Sequence, residues 1–432
     1  MERFALASLS KWKKSKNRKP LIIQGARQVG KTWLMKEFGR REYEQVAYIN
    51  FESSDSLKAI FQENFDVTRL ITAFQIETGI RIRPENTLLI LDEIQEAERG
   101  ITSLKYFCEN APEYHIMAAG SLLGITLHQK TSFPVGKVDF LNLYPMSFNE
   151  FLLALGQEQL YELLKSNDWP MITSFKTKLI GHLRHYYFIG GMPEAVNSFL
   201  SENDFDKVRS IQKSILSSYD HDFSKHAPAE IVPRIKMLWQ SIPSQLSKEN
   251  KKFIYGVVKQ GGRAKEFELA LAWLTDCGLV HKIQRISKPA IPLVAYQDNS
   301  AFKLFILDVG LLSAMGGLTK QTILQGNSIF SEFKGALAEQ FVLQHFKTRL
   351  DDKVFYWSSD TSQAELDFVI QNNDQVIPIE VKAEENLKAK SLKSFYEKFN
   401  PKIAVRTSMS DYRDDGWLVN VPLYALESFR FV

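Results

Sequence analysis

Residues Leu21-Ile22-Ile23-Gln24-Gly25-Ala26-Arg27-Gln28-Val29-Gly30-Lys31-Thr32-Trp33 carry a short apolar strand into the spacing Gly-x-x-x-x-Gly-Lys-Thr and on into a helix-forming stretch that reaches Phe38. Strand, glycine loop and helix in that order are the context a phosphate-binding loop requires. Glycines let successive backbone N–H groups wrap an anion, and the helix that follows points its positive end at it. The reading makes residues 25–33 a nucleotide cradle. Lys31 reaches the β- and γ-phosphates and Thr32 holds a magnesium ion.

About sixty residues on, Thr87-Leu-Leu-Ile-Leu-Asp92-Glu93 is a continuous apolar run ending in two acids. Such a run predicts a parallel strand covered on both faces. Acids at its carboxyl end face the crevice where ligands sit in open α/β sheets. Asp92 then orients the metal, and Glu93 polarises the attacking water as general base. Gln45 to Phe51 and Tyr114 to Ser121 read as two more strands, each preceded by helical pattern. Alternation of this kind implies a parallel sheet with right-handed crossovers. Ser121, polar at the end of an apolar strand, senses the γ-phosphate if its strand lies between those of Gly25 and Asp92; capping a helix is the alternative.

These residues resemble the AAA-like P-loop ATPases of the bacterial and archaeal group whose loop reads Gly-x-Arg-Gln-Val-Gly-Lys-Thr. The likeness continues through Tyr48-Ile-Asn-Phe-Glu52, Leu91-Asp-Glu-Ile-Gln95, Gly120-Ser121 and Leu143-Tyr-Pro-Met-Ser-Phe-Asn-Glu150, and then Gly190-Gly-Met-Pro-Glu194, Tyr219-x-x-Asp222 and Leu307-Asp-Val-Gly310-Leu. It implies ATP and Mg2+ as ligands and ATP hydrolysis as the activity. Where relatives carry Gly-Arg ahead of the Tyr-Pro-x-Ser-Phe motif, this chain has Gly136-Lys137. A lysine lacks the planar fork of an arginine finger, and Arg27 is the second cationic candidate.

At the other end, helix, three strands, helix and strand succeed one another over residues 332–406. Glu380 and Lys382 lie two apart on one strand and so project together, about 6.6 Å apart along it. Asp367 interrupts the neighbouring apolar strand, and Glu339 interrupts an apolar helix stripe. Unpaired charge on inward faces is costly, so three such acids call for a shared cation or partners. The order resembles the PD-(D/E)xK nuclease fold, with Asp367, Glu380 and Lys382 matching its motif and Glu339 the helix acid of its junction-resolvase branch. That resemblance implies Mg2+ or Mn2+ held by Asp367, Glu380 and Glu339, with Lys382 positioning or deprotonating water.

Between the two ends, residues 151–248 have helical periodicity and are expected to form a lid. His182 and His185 lack partner acids at helical spacing and are read as buried or capping residues, and His221-Asp-x-x-x-His226 gives no argument for a metal. From 249 to 325, helix, Gly261-Gly262 turn, helix and two hairpin-like strands suggest a winged-helix unit. Its second helix is mixed in sign and mostly apolar, which favours packing over DNA reading.

The expected fold class is therefore α/β: a P-loop ATPase core (1–150), helical lid (151–248), winged-helix unit (249–325) and nuclease-like domain (326–432). Composition sets the limits. Of 432 residues, 44% are apolar and 24% charged, which excludes disorder as the main state. Fifty-four basic against fifty acidic side chains leave a net +4, so any contact with DNA or RNA has to come from local patches. The stretch Lys11 to Lys19 is one candidate, although a solvated helix face is the favoured account of it. Two distant cysteines, no secretory signal and no apolar run near the roughly 18–20 residues of a bilayer span point to a cytoplasmic chain without membrane partners. Oligomeric state stays open. The two functional readings are nucleotide control of a metal-dependent nuclease-like domain acting on nucleic acid, and a nucleotide-switched interaction protein that binds a partner or nucleic acid without cutting it.

Overall fold

The computed structural model describes residues 1–120, 133–248, 251–325, 331–349, 354–359, 364–385 and 389–431. The chain divides into two compact units, one of Glu2–Tyr144 with Asp276–Gly278, the other of Met1, Pro145–Thr275 and Leu279–Val432.

In the first unit five strands, β1 (Leu21–Gln24), β2 (Gln45–Asn50), β3 (Thr87–Asp92), β4 (His115–Ala119) and β5 (Asp139–Asn142), form one sheet in the order β2-β3-β4-β1-β5. Every pairing in it is parallel. All six residues of β3 are buried, as a strand covered on both faces must be. Helices α1 (Ala5–Lys14), α2 (Lys31–Glu42), α3 (Val67–Thr78) and α4 (Gly100–Asn110) belong to this unit, whose main core includes Phe51, Phe61, Phe74 and Phe107. The strand of Ala119 does lie between β1 and β3, which meets the topological condition set for Ser121; Ser121 itself lies outside the described residues. In register, Asp92 pairs Ala119 and Asn50, and Ala119 pairs Ile23. The carboxyl ends of β1, β3 and β4 are therefore level, and the loop of Gly25 opens beside Asp92.

The basic stretch is partly consumed in packing. Lys13 pairs with Glu42 at 3.2 Å and lies over the Tyr43 ring, while Arg18 donates to the carbonyls of Pro112 and Glu113.

The second unit combines helices with one mixed eight-stranded sheet of β6 (Val280–Ile286), β7 (Gln297–Ile306), β8 (Val354–Ser358), β9 (Glu365–Asn372), β10 (Gln375–Val381), β11 (Ala404–Ser408), β12 (Arg413–Asp414) and β13 (Leu418–Pro422). The order is β12-β13-β11-β10-β9-β8-β6-β7. The expected hairpin exists, but it does not close a separate winged-helix unit. β6 pairs parallel to β8, through Arg285–Tyr356 and Ile286–Trp357, so the hairpin extends the carboxyl-terminal sheet. Burial explains this: six consecutive residues of β7, Ala301–Ile306, are buried, more apolar cover than a two-stranded wing supplies. The sequence also left β12 and β13 unread.

Two sequence motifs resolve as packing devices within this unit. Asp308 caps the helix α5 (Val309–Met315) by accepting from Leu311 N at 2.9 Å, and its other oxygen accepts from Gly191 N at 2.6 Å. Gly190 has φ 75° and a Cβ there would lie 2.1 Å from Asp308 Oδ1, so only glycine lets the two segments meet. Ser147 and Glu150 form a capping box at the start of the helix Phe148–Ala154, and Glu427 adds bonds to Ser147 Oγ and Asn149 N. Helix α6 (Ser331–Arg349) is buried from Ala336 to Lys347, and Gln340 exchanges two hydrogen bonds with the backbone of Ile306, covering the edge of β7.

Candidate functional site

The loop of residues 25–30 hangs on three anchors. A Cβ at Gly25 would sit 2.3 Å from the Leu143 carbonyl oxygen, at φ 150°, so the chain passes there only as glycine. Gln28 turns the loop in the left-handed region at φ 67°. Arg3, which the sequence did not single out, is buried and donates to the carbonyls of Val29 at 3.1 Å and Tyr144 at 2.6 Å. Ala26 and Val29 are buried, Arg27 and Gly30 half-buried, and Gln28 and Trp33 exposed. Lys31 opens α2 and its ammonium donates to the carbonyls of Gly25 and Ala26, each at 2.9 Å. Burial pulls the Lys31 ammonium down to about 8, against the opposing pull of Glu93 and Asp92. The cation is held at the loop's centre.

Thr32 and Asp92, sixty residues apart in sequence, meet: the hydroxyl donates to Asp92 Oδ2 at 2.7 Å. The same carboxylate oxygen accepts from Tyr48 Oη at 3.0 Å, and Oδ1 accepts from Glu93 N at 3.2 Å. Burial and the Asp92 charge together push the Tyr48 phenol above its ordinary value. Glu93 sits at φ 49°, in the left-handed region that a non-glycine residue adopts only at a cost. Gln95, unread as a site residue, donates to Glu93 Oε2 at 2.6 Å. A hydroxyl and a carboxylate already in contact are hard oxygen donors of the kind Mg2+ takes, so these residues fit the metal. Bound there by Thr32, with Asp92 orienting it, the ion would supply charge neutralisation between phosphates. Lys137 is engaged with Glu109 at 2.9 Å.

In the second unit the expected acids sit on neighbouring elements, Asp367 on β9 and Glu380 on β10 beside the paired residues Phe368 and Ile379, but with different charged partners. Asp367 on β9 accepts from Val381 N at 2.8 Å and feels the charge of Glu339 of α6. Glu339 pairs with Lys251. Into the same group comes Lys303 of β7, its Nζ lying 2.6 Å from Glu365, 3.8 Å from Glu339 and 3.9 Å from Asp367. Burial alone would lower Lys303, but the surrounding carboxylates hold it above the ordinary lysine value. Burial, then the Glu339 charge, pushes the Asp367 carboxyl up to about 8. Glu380 on β10 keeps different company: Oε1 pairs with Lys382 at 2.7 Å, β11 sets Arg406 opposite it, and Oε2 is buried without a hydrogen-bond partner among the described residues. Lys303, Lys251 and Glu365 were not read from the sequence. The signal for Lys303 was there: it interrupts the apolar run Ala301 to Leu307 as Asp367 interrupts its own strand.

Among the described residues no group of three or more His, Cys, Asp or Glu side chains could hold a metal ion. The acids expected to do so have a lysine among them, so the residues present do not fit a divalent ion. His182 and His185 meet ring edge to face at 6.3 Å, and His185 packs on Phe199 and Phe205.

The loop in strand–helix context, with Asp92 against Thr32, is the geometry of a P-loop nucleotide-binding domain. Residues 17–152 match the AAA domain family. Residues 180–322 and 334–426 match two further families, each described as a domain of unknown function, DUF8612 and DUF4143. No curated protein matches the chain. Among solved structures it is similar to a Walker-type ATPase of Pyrococcus abyssi, with 13% identity over 72% of this chain and 94% of the other and a TM-score of 0.45. It also aligns with the Orc1 protein of Aeropyrum pernix, solved in complex with DNA (12% identity, 73% and 93% covered, TM-score 0.28). The third is Cdc6p of Pyrobaculum aerophilum (14%, 74% and 93%, 0.25). Likenesses this distant have no bearing on partners or activity. Among the described residues no helix is long and apolar enough to cross a membrane.

Proposed function

We propose that the protein is a Mg-ATP-dependent AAA-like ATPase whose nucleotide state controls what its carboxyl-terminal unit engages. The observation that carries the reading is the 2.7 Å contact of Thr32 with Asp92 beside a buried Lys31. In this scheme residues 25–33 wrap the phosphates, Lys31 bridges the β- and γ-phosphates, Thr32 and Asp92 manage the magnesium, and Glu93 takes the proton of the attacking water. Gln95, bonded to Glu93 Oε2, orients that carboxylate and leaves its other oxygen to take the proton. A steady-state ATPase assay with Mg2+, on wild type and Glu93→Gln, tests the proposal; equal turnover by the two proteins refutes it.

Of the two outputs the sequence allowed, cleavage of nucleic acid and binding without cleavage, a specific observation favours the second. Asp367 and Glu339, two of the three acids expected to hold a metal ion, face the ammonium of Lys303 at 3.9 and 3.8 Å. The carboxyl-terminal unit is then a docking module for a partner or for DNA or RNA. Incubating the wild type with single-stranded and duplex DNA and RNA in Mg2+ or Mn2+ separates the outputs, since retention without cutting is expected.

A further inference from the structure

We infer that Lys303 is a resident cation that stands where a divalent metal would have to bind, so that the acid cluster of the second unit is closed to metals. The inference deepens the binding-without-cleavage reading of that unit and owes nothing to the ATP chemistry of the first.

Three carboxylates from two elements, Glu339 on α6 and Glu365 and Asp367 on β9, all lie within 4 Å of one ammonium nitrogen. A divalent ion shared by Glu339 and Asp367 would need their oxygens at about 2.0–2.6 Å. Any such point lies within a few ångströms of Nζ, where like charges repel with little solvent to screen them. Lys303 has nowhere else to go. Its side chain is 1% exposed, the β7 residues on either side of it are buried, and the Tyr356 ring lies 5.0 Å from the ammonium. Leaving would strand a charge in an apolar strand at high cost. Lys251 meets Glu339 from the other side, so two lysines answer the acids without any ion from solution. The lysine of the sequence motif, Lys382, is 32% exposed and spends its charge on Glu380. Thus the buried cation comes from β7, a strand outside the motif.

The test is Mn2+ titration of the full-length, nucleotide-free protein followed by electron paramagnetic resonance of the free ion. Wild type is expected to show no saturable site that depends on Asp367. Lys303→Met, which keeps the length of the side chain and removes its charge, is expected to gain one site, lost again when Asp367→Asn is added. Lys303→Gln serves as the second variant, and circular dichroism establishes which variant is folded. Saturable Mn2+ binding by wild type that Asp367→Asn abolishes overturns the inference. So does a folded Lys303→Met or Lys303→Gln protein that gains no site. Neither result bears on ATP hydrolysis, so a failure here is distinguishable from a failure at the P-loop.

Discussion

The Thr32 hydroxyl hydrogen-bonds to the Asp92 carboxylate at 2.7 Å. That contact joins the first turn of one helix to the carboxyl end of a strand two places away in the sheet, with β4 between. It arises because parallel pairing of β3 with β4 and of β4 with β1 brings their ends level. The phosphate loop and the acid that manages its cation are thereby set by sheet register, before any ligand arrives.

Lys31→Ala removes the cation whose ammonium is held by the Gly25 and Ala26 carbonyls. Nucleotide binding measured by isothermal calorimetry with ATP and Mg2+ should be abolished. A retained nanomolar-to-micromolar affinity would count against the site.

Glu93→Gln keeps the shape of the side chain and its reach to Gln95 but removes the base. ATP binding should be retained while turnover falls by about 10²–10⁴-fold, the usual worth of general-base catalysis. The split between an unchanged Kd and a lowered kcat is the signature to look for.

Gly190→Ala places a Cβ 2.1 Å from Asp308 Oδ1 at φ 75°. Either strain or loss of the Asp308 cap follows, and such buried clashes cost about 1–3 kcal/mol, occasionally more. Urea denaturation of wild type and variant should show that loss, and Gly181→Ala, with open space around it, should not.

Burial pushes the Asp308 carboxyl up to about 6, against the bonds from Gly191 and Leu311. The folded chain therefore holds this proton more tightly than the unfolded chain does. The contribution to stability is full below the ordinary carboxyl value near 4 and is lost as pH rises through 6, with a slope of up to about 1.4 kcal/mol per pH unit. Unfolding free energies of wild type and Asp308→Asn, compared from pH 4 to pH 7, should differ with that sign; a difference constant over the range would contradict it.

Much of the nucleotide site was legible because its determinants are local. Gly25, Gly30, Lys31 and Thr32 lie within eight consecutive residues, and the apolar run ending in Asp92 and Glu93 declares a buried parallel strand on its own. The strands carrying Asp367 and Glu380 were legible in the same way, from acids breaking apolar runs. Less could be said of what surrounds them. Arg3 reaches the loop from the amino terminus and Gln95 restrains Glu93, and neither has a pattern that marks it before the backbone is placed.

What the sequence alone determined is the chemistry carried by short spacings: the phosphate loop, the acidic strand end, and the list of buried charges that need partners. Only the tertiary structure decided who those partners are. Pairing β6 with β8 carried a distant hairpin into the carboxyl-terminal sheet and with it delivered Lys303 to Glu339, Glu365 and Asp367. The physical reason is that a buried charge states a requirement locally, through the cost of its desolvation, whereas the countercharge that meets it is chosen by strand order and register. Those depend on how separate stretches of chain cover one another's apolar faces.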